Sequence, residues 1–250
     1  MRHLERKLNE LRPVEIIPNY IKNTDGSILI SCGDTKIICT ATIENRVPPF
    51  LRGQNSGWLA CEYSLLPFAT KQRVARESVR GKQNGRTLEI QRLIGRSLRA
   101  AVDLELLGSR TIIIDCDVIQ ADGGTRTTSI TGAMVALELA IEKLMREDKI
   151  AKSPLKYNVA ATSVGVLNGE VILDLDFEED STSLVDMNVV MNDAGEFIEI
   201  QGTAEGTPYT HEQLMKMLEL AKNGITKLIQ IQNDVCIKAL IQGVAENLKS

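Results

Sequence analysis

Residues 122–129 read Asp-Gly-Gly-Thr-Arg-Thr-Thr-Ser and separate an apolar strand-like run at 111–119 from a long helix-like run at 130–145. Gly123 and Gly124 take positive φ without strain, so successive backbone N–H groups can turn toward one point and form a concavity for an anion. Thr127, Thr128 or Ser129 can cap the helix that follows, whose positive dipole end and free N–H groups then face the same point. Arg126 adds a planar fork suited to phosphate oxygens. A plain strand-to-helix turn explains the glycines and hydroxyls, but it has no need of a forked cation beside them. The G-x-x-x-x-G-K-[ST] spacing and its lysine are absent, so this is not a Walker loop.

The second chemical stretch is acidic. Asp174, Asp176, Glu178, Glu179, Asp180 and Asp186 place six carboxylates within thirteen residues, at the end of one predicted strand and the start of the next. A hairpin there brings Asp180 and Asp186 together. Crowded carboxylates raise one another's pKa, giving a general acid near neutrality, or else they share a hard divalent cation such as Mg2+. An acidic surface turn is the bland alternative. An anion site in the same chain turns the pair into a reaction hypothesis.

The elements that must position these groups follow from pattern. Apolar-rich runs at 14–17, 27–31, 36–43 and 58–66 alternate with turn signals and read as an antiparallel meander. Residues 67–85 carry arginines with few apolar anchors and read as a mobile excursion. Residues 86–107 have a broad apolar helical face, and Arg86 opens that helix just after Gly85, where free N–H groups favour an anion. On the same helix Glu89 is placed to pair with Arg92. The chain then crosses a polar connector at 148–156. Strands at 159–167 and 171–177 flank Asn168-Gly169, a two-residue hairpin signal, and the second of them puts Asp174 and Asp176 on one face. Further strands at 184–191 and 196–201 lead to a long C-terminal helix with Thr210 and Gln213 as a capping box, and Gly224 is a place for it to kink or divide.

Composition narrows the class. At 250 residues with 43% apolar content the chain supports a substantial core. Residues 1–10 are charged throughout, without the apolar middle of a signal peptide, and no apolar run approaches the roughly 20 residues needed to span a bilayer. A soluble, cytoplasmic protein is expected, with no membrane partner. Five cysteines without C-x-x-C spacing read as buried reduced thiols, and two distant histidines argue against a Ser-His-Asp triad or a His-rich zinc site. The charge is polarised: residues 71–99 hold nine basic and two acidic side chains in a chain whose net charge is −4. One region suits a polyanion.

Four stretches, taken together and in order, resemble the ribonuclease PH family of phosphorolytic 3′ exoribonucleases, which is related to polynucleotide phosphorylase and to exosome ring subunits. They are residues 85–96 (Gly-Arg-Thr-Leu-Glu-Ile-Gln-Arg-Leu-Ile-Gly-Arg), residues 115–132 around the glycine loop, residues 179–191 with Glu-Asp-Ser and Asp-Met-Asn-Val-Val-Met, and residues 200–206 (Ile-Gln-Gly-Thr-Ala-Glu-Gly). Thr128 stands where many members have alanine. The resemblance implies an α/β (α+β) fold like that of ribosomal protein S5 domain 2, with mixed sheets packed against helices. It implies one domain over 1–250, with an N-terminal half of about 10–147 and a C-terminal half of about 157–245. It also implies inorganic phosphate as co-substrate, bound by Arg86, Gly124, Thr125, Arg126 and Ser129. Asp180 and Asp186 match the acidic positions of catalysis or of a metal such as Mg2+, with Asp180 preferred for the acid. Arg73, Arg76 and Arg80 match loop arginines that grip tRNA. The implied activity is reversible removal of 3′ nucleotides from tRNA precursors and other RNA 3′ ends as nucleoside 5′-diphosphates, by a homohexameric ring built as a trimer of dimers. Two other classes compete with this reading. A non-catalytic RNA-binding ring subunit of an exosome-like assembly is disfavoured by Arg86, Arg126 and Asp180. A small-molecule kinase needs a glycine-rich ATP loop and a phosphate lysine that are missing.

Overall fold

The computed structural model describes Arg2 and residues 5–247, with side chains placed as far as residue 241. Two sheets, one mixed and one antiparallel, pack around one helix. The first sheet contains β1 (Val14–Pro18), β2 (Gly26–Cys32), β3 (Thr35–Glu44), β4 (Trp58–Leu65) and β5 (Thr111–Gln120) in the order β1-β2-β3-β5-β4. All its pairs are antiparallel except β4 with β5. The second sheet, entirely antiparallel, orders β6 (Val159–Leu167), β7 (Glu170–Leu173), β8 (Val185–Asn192) and β9 (Phe197–Ala204) as β7-β6-β8-β9.

The helices are α1 (Glu77–Arg80), α2 (Gly85–Ala101), α3 (Leu104–Leu107), α4 (Thr125–Arg146), α5 (Phe177–Thr182) and α6 (His211–Asn247). Most of α4 is buried because it is apolar nearly all round, and it packs on β2 and β3 of the first sheet and on β6 of the second. β6 has no solvent face. Val159 and Ala161 join the core of the first sheet, while Ala160, Val164 and Val166 join Met217, Ala221 and Ile225 of α6.

The expected mixed sheets packed on helices are present, with local differences. The helix read over 86–107 breaks at Val102, which bridges to Leu155, and Asp103 then caps α3 through the N–H groups of Glu105 and Leu106. The Asn168-Gly169 hairpin forms with both residues at positive φ, 51° and 82°. Its second strand stops at Leu173 rather than Phe177, since Asp174 turns to φ 54°. Thr210 and Gln213 make the reciprocal capping box, with hydrogen bonds of 2.9 and 3.1 Å. Gly224 does not divide α6, which runs unbroken from His211 to Asn247. It lets the helix approach β7, where a Cβ would stand 2.9 Å from Leu173 Cδ1.

The strand break at Asp174 has a cause far away in sequence. Arg12 grips the Asp174 carboxylate through Nη2 at 2.7 Å, Nε at 3.1 Å and its backbone N–H at 2.7 Å. Burial alone pushes the Asp174 carboxyl up, and the Arg12 charge and hydrogen bonds more than reverse this, holding it below the ordinary carboxylate range. A carboxyl lowered in the folded state stabilises above its unfolded pKa and loses that contribution as pH falls through the folded one. Asp174→Ala strands a buried guanidinium and is expected to lower the unfolding free energy by about 3–5 kcal/mol, read from urea midpoints at neutral pH. Asp174→Asn is expected to flatten the acid limb of the stability curve.

Candidate active site

The glycine loop forms as a backbone nest. Gly123 and Gly124 have φ of 74° and 61°, and Gly124 is the N-cap of α4 with no side chain bonded to the helix start. The expected capping hydroxyls sit elsewhere: Thr127, Thr128 and Ser129 are inside the helix and buried, and Thr127 Oγ1 donates to the Gly124 carbonyl at 2.9 Å. The first amides of α4 are therefore left for a ligand.

Three contacts hold the loop. Thr35 Oγ1 donates to the Gly123 carbonyl at 2.7 Å and accepts the Asp122 N–H at 2.9 Å. Arg12 Nη1 donates to the Asp122 carbonyl. Gly123 also lies flush on the start of α5, where a Cβ would meet the Asp176 carbonyl carbon at 2.6 Å and the Phe177 nitrogen at 2.7 Å.

A pocket of about 80 Å³ opens at this helix start, lined by Arg86, Gly124, Thr125, Arg126, Ser163, Asp180, Asp186 and Asn188. Two cations, the α4 start and two carboxylates thus meet in one lining. Tyr63 donates to Thr125 Oγ1 at 2.9 Å. Arg126 is steadied by Glu89 at 3.6 Å, and Gln201 Nε2 donates to the same carboxylate at 3.2 Å. The expected pairing of Glu89 with Arg92 is thus replaced by one that crosses to α4. Arg86 has no hydrogen-bond or ion-pair partner among the described residues.

The start of α2 is partly capped: Asn84 accepts the Thr87 N–H at 2.8 Å, while Glu77 Oε1 accepts from Thr87 Oγ1 at 2.7 Å and from the Asn84 N–H at 3.3 Å. The Gly85 and Arg86 amides keep no hydrogen-bond partner among the described residues, so this helix start adds free N–H groups beside its arginine. A larger groove of about 570 Å³ lies over β4 and β5 and includes Arg76. Its floor carries Glu62, Asp115 and Asp117. Burial and then the Glu62 charge raise both aspartate carboxyls. That floor disfavours phosphate, whereas the small pocket gathers two guanidinium groups at a helix start.

The six carboxylates do not act as one cluster. Asp174 belongs to Arg12, and Glu179 is bonded by Arg2 at 2.7 and 2.9 Å and by Arg6 at 3.0 Å. Asp176 caps α5 by accepting the N–H groups of Glu178 and Glu179, in a capping box with Glu179. Glu178 is exposed, 3.6 Å from Lys71. Only Asp180 and Asp186 face the pocket, delivered by α5 and β8 rather than by the expected hairpin. Burial raises the Asp180 carboxyl, with Arg126 and Arg86 pulling the other way. Asp186 is pushed to about 6, first by burial and then by the Asp180 charge. No group of three His, Cys, Asp or Glu side chains among the described residues is placed to hold a metal.

Ser129 does not line the pocket. It is fully buried one turn down α4, its hydroxyl has no hydrogen-bond partner among the described residues, and its carbonyl accepts from the Cys39 and Cys116 thiols at 3.9 and 4.0 Å. Arg73, Arg76 and Arg80 are exposed and lie outside the pocket lining. Two lining residues escaped sequence reasoning. Ser163 and Asn188 are opposed in the β6–β8 ladder, and the readable signal was Asn188 sharing a strand face with Asp186.

Residues 10–141 match domain 1 of the 3′ exoribonuclease family, and residues 157–224 match its domain 2. The chain is 57% identical over 230 residues to ribonuclease PH of Bacillus cytotoxicus, covering 92% of this chain and 94% of that protein. Among solved structures it is similar to an Archaeoglobus fulgidus exosome with RNA bound to the active site (TM-score 0.78, 22% identity, 92% of this chain and 91% of that one). It is also similar to rice (Oryza sativa) Rrp46 (TM-score 0.72, 21% identity, 93% of this chain and 98% of that one). At these identities the solved structures speak for the fold, while the sequence matches carry the kinship: this chain belongs to the 3′ exoribonuclease family.

Proposed function

We infer that this chain is a phosphate-dependent 3′-to-5′ exoribonuclease, a nucleotidyltransferase that trims tRNA precursors and releases nucleoside 5′-diphosphates. The observation that carries the reading is the meeting of Arg86, Arg126 and the open α4 N-terminus with Asp180 and Asp186 in one small pocket. A non-catalytic ring subunit has no need of that meeting. Millimolar phosphate binding requires only about −4 kcal/mol, and two charged contacts of roughly 1.5–3 kcal/mol each supply it.

In the reaction, an oxygen of bound orthophosphate attacks the phosphorus of the last phosphodiester. The bond to the 3′-oxygen breaks, its electron pair leaves with that oxygen, and a proton completes the new 3′-hydroxyl. Arg86, Arg126 and the α4 amides orient the attacking phosphate and spread its charge. Asp186, with its pKa near 6, is the better proton donor. Asp180 faces Arg86 and Arg126 and serves as the charged partner. This assigns the acid to Asp186, where sequence reasoning preferred Asp180. The two oxygen ligands also suit Mg2+, which Asp180 and Asp186 would hold and which would add electrostatic stabilisation. One phosphate ester replaces another, so the step is reversible.

The exposed, basic 71–83 segment with Arg73, Arg76 and Arg80 suits the body of the RNA. We propose a homohexameric ring, a trimer of dimers, for which the exposed Phe197 and Ile200 on edge strand β9 offer apolar surface to a neighbouring copy. Five free cysteines suit the reducing cytoplasm. No helix among the described residues is long and apolar enough to cross a membrane.

Product analysis tests the activity: nucleoside diphosphates are expected only with phosphate present, and monophosphates, or equal loss of RNA without phosphate, would mark a hydrolase. Arg86→Ala is expected to raise the KM for phosphate at least tenfold with RNA affinity nearly intact. Arg73→Ala combined with Arg76→Ala should weaken RNA binding and reduce its salt dependence, leaving the phosphate KM in place. The pH profile separates acid from ligand. A proton donor titrating near 6 makes kcat/KM fall as pH rises above about 6, with that limb missing in Asp186→Asn. A rise through the same range assigns the ionised form.

A further inference from the structure

Asn188 lies two residues beyond Asp186 on β8, so the two side chains share a strand face, and Ser163 is its register partner on β6. Asn188 is 7% exposed and Ser163 4%. The Asn188 carboxamide makes no hydrogen bond to any described residue, although it lines the pocket. Its amide atoms are not sealed from solvent but open into the pocket, where an entering ligand can meet them. Ser163 Oγ accepts the Leu175 N–H at 3.0 Å, which leaves its own proton to donate.

The ligand group follows from donor and acceptor capacity. Orthophosphate at neutral pH is mainly an acceptor, with one or two P–OH groups, and Arg86, Arg126 and the α4 amides already supply donors to its oxygens. A carboxamide offers both N–H and C=O beside a donating hydroxyl, and the complement of that pair is a group that donates and accepts, a sugar hydroxyl. If Asp186 attends the departing 3′-oxygen, the nearest such group is the 2′-hydroxyl on the adjacent carbon of the same ribose. We propose that Asn188, assisted by Ser163, binds the 2′-hydroxyl of the ribose whose 3′-oxygen departs, so that the enzyme reads ribose at the residue about to become the new 3′ end. The inference rests on the phosphorolytic reading above, and it makes Asn188 a determinant of specificity for RNA over DNA.

Three oligonucleotides test it: one all ribose, one with a single 2′-deoxynucleotide at the penultimate position, and one with it at the terminal position. Single-turnover release of the first nucleoside diphosphate is measured for each. The wild-type enzyme is expected to be roughly tenfold slower on the penultimate-deoxy RNA, the scale of one hydrogen bond to a hydroxyl, and to be affected less by the terminal-deoxy one. Asn188→Ala should bring all-ribose and penultimate-deoxy rates within about twofold by slowing the former, with the phosphate KM unchanged. Asn188→Ser keeps a smaller donor and acceptor and should retain part of the preference, deciding the matter if the alanine variant fails to fold by circular dichroism. Equal wild-type rates on the two substrates overturn the proposal. So does full preference in both folded variants, or an effect confined to the phosphate KM. Phosphate-independent release by the wild-type enzyme instead overturns the phosphorolytic reading itself.

Discussion

The bidentate clasp of Arg12 on Asp174 is the constraint that the site geometry depends on. One guanidinium takes a carboxylate from the end of β7 and the carbonyl of Asp122 from the glycine loop, so it fixes the two halves of the pocket against each other. Asp174 adopts φ 54° because that places its carboxylate on Arg12, and the same turn ends β7 and starts the path into α5. Arg2 and Arg6 complete the arrangement by neutralising Glu179 beneath α5. Buried charges are tolerated here because each has a partner and hydrogen bonds.

This distribution keeps like charges apart. The carboxylates that cannot do chemistry are neutralised from behind, so the pocket sees two acids instead of six. Burial first and then the Asp180 charge lift the Asp186 carboxyl to about 6, against the pull of Arg126 and Arg86. In the same lining, Arg126 is restrained by Glu89, while Arg86 is free to meet an incoming anion. One cation is preorganised and the other responsive.

Much of this was legible in the chain. Gly123 and Gly124 announced the nest because positive φ and a following apolar helix leave few other arrangements. Arg86 and Arg126 stood at helix starts, and Asp180 and Asp186 stood out by density. The N-terminal arginines were opaque, since Arg12 and Asp174 are 162 residues apart and no local pattern pairs them. Local periodicity likewise ran the strand on to Phe177, because alternation cannot register a distant ion pair that bends the backbone at Asp174. Ser129 misled for a geometric reason: four residues beyond Thr125 it lies one turn, about 6 Å, along the axis and beneath the surface that its neighbours expose. Asn188 was hidden inside an apolar strand whose polar member looked incidental.

The stitching of α1 to the start of α2 has its own consequence. Glu77 joins the exposed basic segment to Thr87 and Asn84, immediately beside the backbone that carries Arg86. A displacement of that segment strains hydrogen bonds of 2.7 and 3.3 Å on either side of Arg86. Order in the basic segment and the placement of the α2 start are therefore tied to each other by the same carboxylate.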